Sequence, residues 1–178
     1  HDDLMRTLFL ACRSVDPSRP VLDTSGYCHR VPESDIWDTH DYTQDPRQLR
    51  RNQAGLADGR PHQVENRSTQ SIAYGGQPFF VSEFGGIWWN PDAAQDADSW
   101  GYGERPKTVD EFYERFEGLC SALLADANMF AYCYTQLTDV YQEQNSIYTF
   151  DRRTKFDTNR IRAIQQQPAA IERSDTAD

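Results

Sequence analysis

The sequence has no apolar run approaching the ~20 residues that a helix needs to cross a bilayer, so no membrane partner is expected. Positive charge is scarce too: 18 Lys and Arg stand against 28 Asp and Glu, a net charge of −10. That balance argues against a nucleic-acid partner, because phosphate binding needs clustered cations. The one short basic stretch, Arg47 to Arg51 (RQLRR), reads as a solvated helix face. Cys12, Cys28, Cys120 and Cys133 show neither CxxC pairing nor metal-ligand spacing. A chain of 178 residues is too large to need disulfides, and reduced thiols in a cytoplasmic protein are the expectation. Cys120, on an apolar helix stripe, and Cys133, in an apolar strand, read as small hydrophobes. The first residues, HDDLMRTLFLACRS, lack a starting Met and a signal-peptide order of charges. They open as if already inside a helix, so a piece of something longer is expected.

What is present is a globular composition, 26% charged and 12% aromatic. Leu4, Leu8 and Ala11 recur at helical spacing between Asp3 and Ser14, and Pro17 and Pro20 end that helix. Short strands are expected at Val21 to Asp23 and at Ile36 to His40. From Asp45 to Gln77 the chain is polar and rich in Gly, which predicts one or two short helices and then a mobile loop. A third strand is expected in PFFVSEF (Pro78 to Phe84), followed by a long loop from Gly85 to Lys107. Thr108 and Glu111 form a capping box ahead of Val109, Phe112, Phe116, Leu119 and Leu123, which predicts a helix over Thr108 to Ala125. MFAYCYT, Met129 to Thr135, is the fourth expected strand. A last helix is expected from about Asn159 to Gln166, and then a polar tail that frays.

Strands separated by helices indicate parallel βα units. Val21-Leu22, Phe79-Phe80-Val81 and Met129-Phe130-Ala131 are continuous apolar runs, as strands buried on both faces should be. Polar and aromatic residues crowd the C-terminal end of every candidate strand, the face on which a (β/α)8 barrel builds its active site. Four such ends predict an α/β fold, half of a TIM barrel, over residues 1–166, with 167–178 as the tail.

Glu83 is the first candidate for chemistry. A carboxylate at a strand mouth can be a nucleophile, a general base or a metal ligand, or simply a strand-end Glu satisfied by solvent or a neighbouring Arg. Gly85 and Gly86 allow a tight turn beside it. Trp88 and Trp89 offer flat apolar faces of the kind that pack against sugar rings.

The stretch SEFGGIWW, Ser82 to Trp89, resembles the nucleophile segment of glycoside hydrolase family 2, which includes β-galactosidases, β-glucuronidases and β-mannosidases. RPVLDTSGY resembles the segment around that family's fifth barrel strand and DIWDTHDYTQDP the sixth. PFFVSEFGG is similar to the seventh, and FAYCYTQLTDVYQEQNSIYTFDRRTKFD to the eighth with its loop. The resemblance implies strands 5 to 8 of the barrel of a retaining β-glycosidase, with Glu83 as the nucleophile. A retaining site needs two carboxyl groups about 5 Å apart. The family's acid/base is a Glu preceded by Asn after the fourth strand; no Asn-Glu pair occurs here, and it is expected upstream of His1, so the chain alone is expected to be inactive.

The resemblance also implies that Tyr42 contacts the nucleophile carboxylate; an aromatic lining the barrel mouth is the alternative. His40 and Asp41 can bind sugar hydroxyls, although a strand-end His is as often packed structurally. Trp88 and Trp89 are either substrate platforms or packing residues, and Gln136 and Asp139 are candidate hydroxyl contacts. Asp151, Arg152 and Lys155 read as a salt-bridged turn. β-Glucuronidases carry Asn-x-Lys after the eighth strand, whereas the comparable stretch here is Asn145-Ser146-Ile147. A neutral β-glycoside such as a β-galactoside is therefore expected. No cofactor is implied, although some relatives bind Mg or Na through residues outside this region. Expected partners are a carbohydrate and either a second copy of the chain or the other half of the barrel. The alternatives are a non-catalytic half-barrel that binds carbohydrate or assembles with another chain, and a retaining barrel of the β-glucanase or mannanase type.

Overall fold

The computed structural model describes residues 1–64, 70–92 and 98–176, with side chains up to residue 173. Parts of the loops expected before Gln77 and before Lys107, and the end of the tail, lie outside the described residues. Three strands, β1 (Trp37–Asp41), β2 (Phe79–Gly85) and β3 (Met129–Thr135), form one parallel sheet in the order β1-β2-β3. They alternate with α1 (Asp2–Val15), α2 (Pro46–Gln53), α3 (Val109–Leu124) and α4 (Thr158–Gln165).

α3 forms where its apolar spacing and cap predict. Thr108 Oγ1 accepts the Glu111 N–H at 3.1 Å, and the Glu111 carboxylate accepts the Lys107 N–H at 2.7 Å, so the box closes one residue before the cap. Phe112, Phe116, Leu119, Cys120 and Leu123 are buried with Phe79, Val81, Phe84 and Met129 of the sheet. Phe112 stacks on Phe156 at 3.9 Å. α2 packs on α3 at Gly118, where a Cβ would meet Pro46 Cγ at 2.7 Å. α4 starts at Asp157, whose carboxylate accepts the Asn159 N–H at 2.9 Å.

Three expectations are corrected. No strand forms at Val21 to Asp23: Val21 pairs with Asp35, through the Asp35 carboxylate (2.9 Å) and N–H (3.2 Å), and its carbonyl also accepts from the Ser34 hydroxyl at 3.5 Å. Pro20 before it lacks an N–H for a ladder, and Asp23 turns away to accept the N–H groups of Arg30 (2.7 Å) and Val31 (2.9 Å). The stripe Leu4, Leu8, Ala11 of α1 faces solvent and Phe9 is buried instead. α1 is tied to the following loop mainly by ion pairs, Arg6–Glu33 at 2.5 Å, Arg30–Asp2 at 2.6 Å and Arg13–Asp35. β3 is not buried on both faces: Phe130 and Cys133 are exposed. The tail includes a 3-10 helix, Ala170–Thr176, in which the Glu172 carboxylate accepts the Ala169 N–H at 3.0 Å.

The pairing of β1 with β2 contains one irregularity that matters for the site. Thr39 pairs with Val81 and His40 with Glu83, so Ser82 is passed over. A bulge of this kind bends a strand and re-aims its side chains. Here it brings His40 and Glu83 opposite one another at the C-terminal edge of the sheet.

Candidate functional site

Glu83 sits at that edge with its side chain about one-third exposed. Its Oε2 accepts a short hydrogen bond from the Tyr42 hydroxyl and lies 3.2 Å from His40 Nδ1. Burial, followed by the bond to Glu83, raises the Tyr42 pKa well above that of an ordinary phenol. Tyr42 therefore stays a proton donor to the carboxylate across the working pH range. Its ring is clamped by Tyr102, stacked at 3.5 Å and 9°.

His40 is gripped from the other side. Gly26, at φ +71°, lies so close that a Cβ there would sit 2.0 Å from His40 Cδ2, and Tyr27 meets the imidazole edge-on at 5.0 Å. The two glycines after the carboxylate are equally constrained. A Cβ at Gly85 (φ +77°) would meet the Tyr134 ring at 2.4 Å, and one at Gly86 (φ +57°) the Tyr102 ring at 2.5 Å. Only Gly combines that backbone with that approach. Tyr134 then holds the turn, accepting the Ile87 N–H and donating to the Asn145 carbonyl, both at 3.0 Å.

The remaining sequence candidates fall elsewhere. The Asp41 carboxylate is buried and accepts from Thr43 N–H (3.1 Å), Asn52 Nδ2 (3.0 Å) and Gln53 Nε2 (2.9 Å). It anchors α2. Asp139 is buried and takes the Lys155 ammonium at 2.6 Å together with the Ser146 hydroxyl at 2.5 Å. Gln136 is half-buried and donates to Asn145 Oδ1 at 3.3 Å. Trp88 donates to Ser99 Oγ at 3.1 Å, with the Arg105 guanidinium 5.6 Å from its ring. Trp89 packs against the core and its carbonyl accepts from Lys155 Nζ at 2.7 Å. Both tryptophans line a cleft with Pro91, Arg105 and Lys107, which neither Glu83 nor Tyr42 lines.

Two arrangements escape sequence reasoning. Lys155, read as part of a salt-bridged turn with Asp151 and Arg152, has a fully buried side chain and pairs instead with Asp139. Burial lowers its pKa even though Asp139 opposes the shift. The second is a buried line from Asp23 through His29 and Asp38 to Ser82. His29 Nδ1 lies 2.7 Å from Asp23 Oδ1, and its Nε2 lies 2.8 Å from the Asp38 carbonyl and 3.3 Å from Asp38 Oδ1. Ser82, beside Glu83, donates to Asp38 Oδ2 at 2.5 Å. Burial opposes a charge on His29, but Asp23 and Asp38 outweigh it and raise the imidazole above its ordinary value. The only sequence signal is Asp23 and His29 in one turn-rich stretch, and nothing in that pattern reveals burial.

Among the described residues no group of three or more His, Cys, Asp or Glu is placed to hold a metal ion. Among them, too, no helix is long and apolar enough to cross a membrane. No disulfide joins the four cysteines.

No protein-family model and no curated protein sequence matches the chain. Solved structures do. A β-D-glucuronidase of Dictyoglomus thermophilum superposes with a TM-score of 0.59 at 14% identity, over 94% of this chain and 29% of its own. A GH2 β-galacturonidase from Eisenbergiella tayi, bound to galacturonate, gives 0.60 at 15%, over 93% and 30%. A β-glucuronidase of Faecalibacterium prausnitzii gives 0.56 at 17%, over 94% and 29%. At these identities the likeness is one of fold, and the chain spans under a third of the length of these structures.

Proposed function

We propose that this chain supplies the nucleophile half of a retaining β-glycosidase of the family 2 type, with its three strands corresponding to the sixth to eighth strands of a TIM barrel. The observation that carries the reading is the shared oxygen of Glu83, met by Tyr42 and His40 at the C-terminal edge of a parallel sheet. The fold likeness supports it, as does the packing of α2 on α3, the helices that follow β1 and β2. Helices that follow successive strands lie side by side around a barrel.

In the proposed reaction a Glu83 oxygen attacks the anomeric carbon. A C–O bond to the carboxylate forms as the bond to the leaving oxygen breaks, and a general acid protonates that oxygen. Water, deprotonated by the same group, then displaces Glu83. Tyr42 holds one carboxylate oxygen of Glu83 and leaves the other for the sugar. Asp41, which accepts three hydrogen bonds, and Asp38, buried beneath the strand, are both held in the protein. The acid/base is proposed to come from a segment outside these residues.

A neutral sugar fits better than a uronic acid, although the similar structures include uronidases. In the loop after β3, Lys155 is spent on Asp139 with its side chain fully buried, so it offers no counter-charge to a sugar carboxylate. In the complete enzyme, Glu83→Gln should abolish hydrolysis of nitrophenyl β-glycosides and leave the circular dichroism unchanged, because the near-isosteric amide cannot attack carbon. Retained hydrolysis by the variant would move the nucleophile to another residue.

A further inference from the structure

Ser82 and Glu83 are neighbours in the chain, yet both reach the same face of β1. The Ser82 hydroxyl donates to Asp38 Oδ2 at 2.5 Å and lies 3.3 Å from the Thr39 carbonyl. Glu83 Oε2 lies 3.2 Å from His40 Nδ1, and Asp38 and His40, two apart on β1, share a face. Consecutive side chains of a regular strand point to opposite faces, so β2 carries one surplus residue here. Both of its ladders agree on the place. β2 spends one residue more than β1 between Val81 and Glu83, and one more than β3 between Val81 and Phe84. A regular ladder would pair Ser82 with His40 and Glu83 with Asp41. That slip would turn Glu83 to the opposite face, where Val81 packs in the core and Asp41 bonds Asn52 and Gln53 of α2.

The ladder leaves a bulged residue unpaired, and here a side chain ties it down. The Ser82 hydroxyl is fastened to a carboxylate that is itself fixed. Asp38 is buried, and His29 Nε2 lies 2.8 Å from its carbonyl and 3.3 Å from its Oδ1. His29 is braced in turn by Asp23, 2.7 Å from Nδ1. Drawing Ser82 away from Asp38 would strip a donor from a buried carboxylate, which is costly. That cost opposes the slip.

We infer that Ser82 and Asp38 are positioning residues for Glu83: their bond, backed by His29, holds the bulge of β2 and so keeps the carboxylate against Tyr42 and His40. Their control of the Glu83–Tyr42 bond follows from the strand geometry alone. Their control of the rate of attack on a sugar rests on the glycosidase reading.

Carbon NMR of the full chain, labelled at the tyrosine ring carbon that bears the hydroxyl, reads the Glu83–Tyr42 bond. Tyr42→Phe assigns the signal, and Glu83→Gln shows where it moves when the charged acceptor is lost. Ser82→Ala should move the signal toward that position, and Ser82→Thr, which keeps the hydroxyl, should return it. Asp38→Asn, a neutral acceptor of the same shape, should move it by less. The same proteins are then treated with the dinitrophenyl 2-deoxy-2-fluoro β-glycosides of galactose, glucose and mannose. Ser82→Ala should slow labelling of Glu83 by about 10- to 100-fold, the scale of a 1 Å misplacement, with the half-saturating concentration changed less than about twofold. Ser82→Thr should recover the rate. Circular dichroism identifies a variant that fails to fold; Ser82→Cys, similar in size and a weak donor, then replaces Ser82→Ala. An unmoved Tyr42 signal, no return in Ser82→Thr, or a moved signal with an unchanged labelling rate overturns the proposal. If the signal moves and returns as described while Glu83 of the unsubstituted chain takes no label from any of the three sugars, the positioning stands and the glycosidase reading fails.

Discussion

At Glu83 one carboxylate oxygen serves two neighbours, a phenol and an imidazole, and this sharing sets what the other oxygen is free to do. The Tyr42 hydroxyl is the stronger constraint, since its bond is short and half-buried and the phenol does not ionise in the working range. A hydrogen bond to a charged group contributes about 1.5–3 kcal/mol. Tyr42→Phe should therefore slow glycosyl-enzyme formation by about 10- to 100-fold, with KM changed far less, as pre-steady-state release of nitrophenol from an aryl β-glycoside would show. An unchanged rate would reduce Tyr42 to an aromatic wall. Glu83 draws attention in the sequence because it closes an apolar run with a side chain that a buried strand does not need, whereas Tyr42, after WDTHD, is pointed to only by the family resemblance. Asp41 and Asp139, also at strand ends, are spent inside the protein on α2 and on Lys155. The sequence shows a carboxylate at a strand end, but a partner 16 residues on is visible only once the chain has folded.

The elements that came through sequence reading are those whose signals are local. β2 and β3 are continuous apolar runs, and α3 has both its stripe and its cap. The expected strand Val21 to Asp23 does not form because the Val21 N–H is claimed by the Asp35 carboxylate and the Asp23 carboxylate turns to the Arg30 and Val31 N–H groups. His29 stands at the centre of that loop, facing Asp23, Asp38 and the Trp37 ring. Its pKa is raised above 6.5, so its stabilisation is fully present below 6.5 and is lost as pH rises through the higher folded value. Asp23 is lowered below 3.8: burial opposes the shift, but the His29 bond and two backbone N–H groups outweigh it. Its contribution is present above 3.8 and is lost as pH falls through the folded value. Asp38, raised by burial, adds a loss of stability as pH rises through its own titration. His29→Ala should thus cost about 3–5 kcal/mol, the usual loss when a buried ion pair is broken, and the deficit should be greatest between 3.8 and 6.5. Urea denaturation of both proteins from pH 4 to pH 9 reads this directly; a deficit that does not shrink above the His29 titration would mean that the imidazole acts only by packing.

The whole molecule is an unclosed sheet. β1 is buried at all five positions, but the β3 edge is open, with Phe130 49% exposed. On the opposite flank Leu4 and Leu8 of α1 face solvent at about 60%. Unpaired strands and apolar patches of this kind invite another chain. The isolated chain is expected to form dimers or larger assemblies through these surfaces, seen as a mass that rises with concentration in light scattering. A compact monomer near 20.5 kDa that binds no hydrophobic dye would contradict the half-barrel.

The central claim, that Glu83 attacks sugar, can be tested without the missing acid. A 2-deoxy-2-fluoro β-glycoside with a dinitrophenolate leaving group needs no protonation to depart, and fluorine slows the second step so that the glycosyl-enzyme accumulates. After incubation with the neutral sugar analogues, mass spectrometry of a peptic digest should find one added fluoro-sugar on the peptide that contains Glu83, and none on the Glu83→Gln variant. Label on a different carboxylate, or equal labelling of the variant, would contradict the account.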